Sequence, residues 1–257
     1  MHLIKLGGSV ITDKSREKSL KTEVLKRLAS EISSSQKEVI VVHGAGSFGH
    51  ILAKEGGLKD GFKGEWQFEY FSKVQRDVRE LNLHVLNALI ESGMMPVSLP
   101  PSMITLYRNG VMEQFSAEIF ELYLRIGMTP VSFGDVVLDK ERVFAICSGD
   151  HIMNALSSLE GVESAIFVTD VDGVYDRPPD EEGAELIDVL YPDSEVGSKM
   201  LNDDVTGGID EKIKNGFEMA KRGILVKIIN GNVPGRLEKA LKGEEVVGTE
   251  IRWKKDD

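Results

Sequence analysis

Short runs of β-branched residues that end in glycine, each followed by an amphipathic segment, recur along this chain and constrain its fold more than any other feature. A strand pattern feeding a helical pattern, repeated, marks an α/β protein built on a parallel sheet. The pattern predicts strands at His2 to Leu6, Glu38 to His43, Thr129 to Phe133, Ser164 to Thr169 and Ile224 to Ile229. Helical spacing falls at about Leu20 to Ser34, Trp66 to Ser92, Ser116 to Arg125, Asp150 to Leu159 and Gly208 to Arg222. Gly134 to Ile146 alternates and turns as a hairpin, an antiparallel excursion from a parallel sheet. No Pro/Gly/Ser linker divides the 257 residues, so they make one large domain or two closely fused lobes.

Charge narrows the partners. The 31 Lys+Arg against 42 Asp+Glu give a net charge of -11, which argues against a nucleic-acid partner, since a phosphate backbone is met by a basic face. No apolar run approaches the roughly 20 residues of a membrane-spanning helix, and MHLIKLGG runs from a strand into a glycine turn without a signal-peptide core. The expectation is a cytoplasmic protein. The single cysteine, Cys147, has no partner for an internal disulfide or a multi-cysteine metal site and reads as core.

The informative residues lie where strands end. The first strand delivers Lys5-Leu6-Gly7-Gly8-Ser9, and the second delivers His43-Gly44-Ala45-Gly46-Ser47-Phe48-Gly49-His50. Ligands of open parallel sheets bind outside the carboxyl ends of strands, and glycines there let backbone N–H groups approach a phosphate. Either cluster alone reads equally as a tight turn. Both together, with Lys5 at one and His50 at the other, favour two phosphate groups. No Walker A motif occurs, and the G-x-G-x-x-G match at Gly44 to Gly49 lies on the second strand-loop unit without an acidic residue after the next strand, which weakens a dinucleotide reading. Thr169-Asp170-Val171-Asp172-Gly173-Val174-Tyr175 sets two carboxylates at another strand end. Gly207 and Gly208 open a helix whose first turn carries Lys212, a site for an anion or simply a solvated lysine.

These pieces, in this order, resemble the amino acid kinase superfamily and, within it, the isopentenyl phosphate kinase family. The resemblance rests on KLGGSVIT at Lys5 to Thr12, HGAGSFGH at His43 to His50, FGDV at Phe133 to Val136, SGD at Ser148 to Asp150, TDVDGVY at Thr169 to Tyr175 and DVTGGI at Asp204 to Ile209. HGAGSFGH, with its terminal histidine, marks the phosphate-accepting branch. The resemblance implies an αβα sandwich around a mainly parallel sheet, with an acceptor-binding lobe over about residues 1–160 and an ATP-binding lobe over about 161–257. It implies transfer of the ATP γ-phosphoryl group to isopentenyl phosphate with Mg²⁺, in a homodimer.

By the family's pattern Lys5 and Lys212 contact the ATP phosphates, Lys14 stabilises the transition state, and Leu6, Gly7, Gly8, Ser9, Gly46 and Gly207 line the phosphates. Asp170 faces the nucleotide with Tyr175 in the bordering turn, while Gly44, Ala45, His50 and Gly149 hold the acceptor phosphate. Asp150 is placed to pair with Lys5 and fix its direction. Lys14 also reads as part of an ordinary charged loop, Asp13 to Arg16. His50 is placed to donate to a phosphate oxygen and, with an ordinary pKa near about 6.5, to carry a proton when a dianion approaches. His43 sits beside the loop and is placed to orient it.

The chemistry suits such a site, because an ionised phosphate acceptor needs no general base. It needs two anions brought into line and spreading charge stabilised by fixed cations and N–H donors. No dedicated metal ligands are expected, since Mg²⁺ is held largely by phosphate oxygens and water. Tyr70, Val74 and Val78 mark one face of the long helix, read either as core or, for Tyr70 and Val74, as a wall for an apolar tail. A kinase of the same superfamily acting on a phosphonate, carbamate or carboxylate, and a non-catalytic nucleotide-binding protein, are the alternative readings.

Overall fold

The computed structural model describes residues 1–13, 15–194, 196–197 and 209–254. Lys14, Gly207 and Gly208 therefore lie outside the described residues. The larger sheet is built from β1 (His2–Leu6), β2 (Val39–His43), β3 (Pro96–Ser98), β6 (Thr129–Phe133), β9 (Ser164–Thr169), β10 (Val189–Leu190), β11 (Leu225–Asn230) and β12 (Thr249–Ile251). Their order is β10-β12-β11-β9-β1-β2-β6-β3, and every neighbouring pair is parallel except β11 with β12. A smaller sheet holds β5 (Val111–Phe115), β4 (Thr105–Arg108), β7 (Asp135–Asp139) and β8 (Val143–Cys147) in that order, the last two forming the expected hairpin.

The central strands are apolar on both faces because both are covered. Leu3, Val42, Ala165, Phe167 and Ile228 point to one side, and Ile4, Leu6, Val41, Ile166 and Ile229 to the other. Burying each of the larger of these side chains contributes about 1.5–3 kcal/mol, so this alternation over two covered faces secures the sandwich. Helices α6 (Ala117–Arg125), α7 (Gly149–Leu156) and α8 (Ile209–Lys221) supply Phe120, Ile152, Met153, Ile213 and Phe217 to the first side. On the other side lie α1 (Gly8–Ile11), α2 (Thr22–Ser35), α4 (Gln67–Glu91) and α9 (Arg236–Leu241). A third cluster, Leu58, Val74, Val78, Phe133, Val136 and Phe144, joins α4 to the hairpin.

The predicted strands and long helices are present; β1, β6 and β9 match to the residue, and the other ends lie within three residues. Not foreseen were α1, α3 (Gly46–Glu55), α5 (Pro101–Ile104), α9 and the short strands β3, β4, β5, β10 and β12. Helix α3 starts inside the glycine-rich loop, where the composition reads as a turn, and is held by Phe48, Gly49 and the packing of α4 against it. Strands β3, β10 and β12, of two or three residues, are too short for a two-residue period to register.

Candidate active site

Strands β1, β2 and β9 all point their carboxyl ends at one opening. Two glycine loops meet there at a separation no side chain would tolerate. A Cβ on Gly8 would lie 2.6 Å from the backbone nitrogen of Gly46, and one on Gly44 would lie 2.7 Å from that of Gly8. Gly46 also has φ of +51°, a left-handed conformation that costs L-residues energy. Thr12 pins the pair: its hydroxyl donates to the Gly8 carbonyl at 2.6 Å and accepts from the Ser47 N–H at 3.0 Å.

Behind the second loop, buried His43 donates from Nδ1 to the Gly44 carbonyl at 3.0 Å and accepts at Nε2 from Asn82 at 3.1 Å. Asn82 in turn accepts from the Ser98 hydroxyl at 2.6 Å, and the imidazole stacks on Phe133. Complete burial lowers the His43 pKa to about 4, so the ring is neutral, as this donor–acceptor pattern requires.

Lys5 reaches from β1 to α7, where its Nζ donates to Asp150 Oδ2 at 2.6 Å. Lys212, from the first turn of α8, brings its Nζ to 3.6 Å from Asp150 Oδ1 and lies over the Phe167 ring at 5.5 Å from its centroid. Burial, with Lys5 adding repulsion, lowers the Lys212 pKa to about 8. Burial alone would raise the Asp150 carboxyl, but Lys5 and then Lys212 outweigh it and hold it below the ordinary range. Two ammonium groups thus share one buried carboxylate, which keeps them together while leaving them an unbalanced positive charge. On the far side Ser9 Oγ donates to Asp170 Oδ1 at 2.9 Å, and Asp172 pairs with Arg236.

One cavity of about 1460 Å³ collects these groups. Lys5, Gly7, Gly8, Ser9, Gly44, Ala45, His50, Gly149, Asp150, Asp170, Tyr175 and Lys212 all line it. Val74 lines it too, together with Ala53, Phe144 and Ile146, which form an apolar wall between α3, α4 and the hairpin. Tyr70, one turn before Val74, packs against Gly56 and Trp66 and is not among the lining residues. Leu6 lies in the core beneath the loop, and Gly46 is buried against Gly8.

The sequence reading missed Ala53, Phe144, Ile146, His151 and Glu211, and gave Asp135 of the FGDV string no role. Phe144 and Ile146 recur two apart in β8, an available period-two signal for one face of the hairpin. Asp135 has its carboxyl pushed up to about 6 by burial, against the pull of Arg79 3.4 Å away.

The amino acid kinase family model matches residues 1–230. The isopentenyl phosphate kinase of Methanothermobacter thermautotrophicus is 42% identical, covering 99% of this chain and 100% of that protein. The isopentenyl phosphate kinase of Thermoplasma acidophilum is 38% identical over 98% of this chain and its own full length. A solved isopentenyl phosphate kinase structure superposes with a TM-score of 0.86 at 38% identity, covering 98% of this chain and 99% of that one. The fold, the sequence motifs at its strand ends and this full-length similarity agree, and the chain belongs to the amino acid kinase family, among its isopentenyl phosphate kinases.

Proposed function

We propose that this chain transfers the γ-phosphoryl group of ATP to isopentenyl phosphate, giving isopentenyl diphosphate and ADP. The observation that carries the proposal is that one cavity joins a cationic, N–H-rich end at the strand termini to an apolar wall of Ala53, Val74, Phe144 and Ile146. A small phosphorylated apolar acceptor matches both ends. A carboxylate acceptor such as an amino acid would leave its polar groups unpaired against that wall.

In this reading an ionised oxygen of the acceptor phosphate attacks the γ-phosphorus, and the bond to the β-phosphate bridging oxygen breaks to release ADP. The acceptor needs no base. What it needs is alignment and charge compensation. Lys5 and Lys212 supply the charge on the nucleotide side, with Gly7, Gly8 and Ser9 offering their loop and Asp170 and Tyr175 bordering the nucleotide. Gly44, Ala45, His50 and Gly149 take the acceptor phosphate, with the His50 ring donating to it. Asp150 holds the two lysines in register. Lys14, outside the described residues, is assigned to the transition state by family pattern alone, and Gly46 and Gly207 to the phosphates.

Mg²⁺ would supply charge neutralisation on the ATP phosphates. Among the described residues no three acidic, imidazole or thiol groups converge as a metal site, and Asp150 is already shared by two ammonium groups, so the ion fits as a complex with the nucleotide. The acceptor half comprises about residues 1–160 and the nucleotide half about 161–257.

No helix among the described residues is long and apolar enough to cross a membrane, and we place the reaction in the cytoplasm, where its ATP is held. We also read the chain as a homodimer. Leu83 and Ile90, two turns apart on one face of α4, are each 56% exposed. Sedimentation of the wild type against Leu83→Glu tests this, with a shift to monomer expected.

A panel of acceptors in an ADP-release assay tests the function. Turnover greatest with isopentenyl phosphate is the expected result. A faster rate with a phosphonate, carbamate or carboxylate would replace the proposed acceptor, and ATP binding without transfer to any of them would make the protein a nucleotide binder.

A further inference from the structure

Two residues that themselves line the cavity meet between α7 and α8, each next to a charged residue of the site. His151 follows Asp150, and Glu211 precedes Lys212. The His151 Nε2 lies 2.7 Å from Glu211 Oε1, and the Ser148 hydroxyl, which caps α7, donates to the same oxygen at 3.3 Å. On the other side of the ring Nδ1 lies 3.1 Å from the hydroxyl of Tyr107.

The direction of the chain follows from what each group is able to do. An ionised carboxylate only accepts, so Nε2 carries the proton and donates to Glu211. In the neutral ring Nδ1 then accepts, and Tyr107 donates to it. Tyr107 is a fixed anchor. It is fully buried in β4 of the smaller sheet, and burial raises its hydroxyl pKa far enough to keep the proton in place. A hydrogen-bonded line therefore runs from the smaller sheet, across the start of α7, to the first turn of α8.

Distances decide what this line does. The contact between Lys212 and Asp150, at 3.6 Å, is beyond a good hydrogen bond, so Asp150 holds the lysine by charge without fixing its direction. The His151–Glu211 contact at 2.7 Å is close and directional. We propose that His151 and Glu211 are positioning residues for Lys212, docking the first turn of α8 on α7 so that the Lys212 ammonium is aimed at the nucleotide phosphates. The proposal rests on the reading of Lys212 as a phosphate ligand. Because both side chains are about one-third exposed, the pair adds little to global stability, and its contribution is geometric.

The test uses His151→Ala, Glu211→Ala, Glu211→Gln and the double alanine variant. It reads ATP affinity by calorimetry, steady-state kinetics and the melting midpoint. Both single alanine variants are expected to weaken ATP binding by about tenfold or more and to lower kcat/KM for ATP alike, since a displacement of about 1 Å is costly in an aligned site. The isopentenyl phosphate KM should stay within about twofold and the melting midpoint within a few degrees. The double variant should be no worse than the weaker single one, because one chain is broken once. Glu211→Gln, whose amide oxygen accepts the same N–H, should recover most of the loss.

Wild-type ATP affinity in His151→Ala and Glu211→Ala would overturn the proposal. Losses that multiply in the double variant, or that fall on the isopentenyl phosphate KM alone, would do the same. Calorimetry keeps the two readings apart. Absence of transfer by the wild type would sink the proposed reaction, whereas ATP affinity reports on the chain whatever the acceptor.

Discussion

Lys5 and Asp150 are 145 residues apart in sequence, yet the ammonium of one donates to the carboxylate of the other at 2.6 Å. The pair is buried on both sides, at 9% and 8% side-chain exposure, and the same carboxylate faces Lys212. Removing the charge of Asp150 leaves two ammonium groups opposed in a poorly solvated site. Asp150→Asn should lower kcat by about 100-fold through misplacement of both lysines. Steady-state kinetics with a melting curve check this, and an activity loss that merely follows unfolding would remove Asp150 from the account.

Lys212 gives the site a pH limit. Its pKa is lowered to about 8 by burial and by Lys5, and in the proposed reaction the protonated form is the one that holds phosphate. The contribution is therefore present below pH 8 and lost as pH rises through it. The profile of kcat/KM for ATP, which reports the free enzyme, should break downward near pH 8. Lys212→Arg, which stays charged, should shift that break upward. A wild-type profile flat to pH 9.5 would contradict the assignment.

His43 predicts the acid behaviour of the fold. Its pKa is about 4 when folded, against an ordinary value of 6.5. As pH falls from 6.5 to 4 the unfolded chain takes up a proton that the folded chain refuses, so stability declines across that window and levels below it. The full loss from this one group is about 3 kcal/mol. Denaturant midpoints measured between those limits should show the decline, and His43→Phe, though weaker overall, should lose this part of the slope.

The loop crossing makes a steric prediction. Gly44→Ala places a methyl group 2.7 Å from the Gly8 nitrogen, so the two glycine loops must separate. A stability loss of about 1–3 kcal/mol is expected, with kcat/KM reduced by about 100-fold. Kinetics and denaturant melts of the variant measure both, and near-normal turnover would show that the loop contact has no catalytic weight.

The parts of this molecule written locally were legible in the sequence. β1, β2 and β9 read clearly because both faces are buried, which turns them into unbroken apolar runs. The strand-end glycines, Lys5 and Asp170 were legible as cavity residues because they follow strands at the carboxyl edge of a parallel sheet. Helix α3 was hidden by the glycines that open it, and β3 by its three-residue length and its proline. The apolar stripe of α4 did not say which of its members meets the cavity: Val74 does, while Tyr70 turns to Gly56. Tyr107, His151 and Glu211 come from three separate elements, and no spacing rule relates residues that only the fold brings together.

The measurement that tests the central claim most directly is ³¹P NMR of the protein incubated with MgATP and isopentenyl phosphate. The monophosphate resonance should decline as two mutually coupled diphosphate resonances grow in step with ADP, and His50→Ala should suppress that growth while its melting midpoint holds. A monophosphate signal that persists unchanged while the protein binds ATP would contradict the proposed reaction.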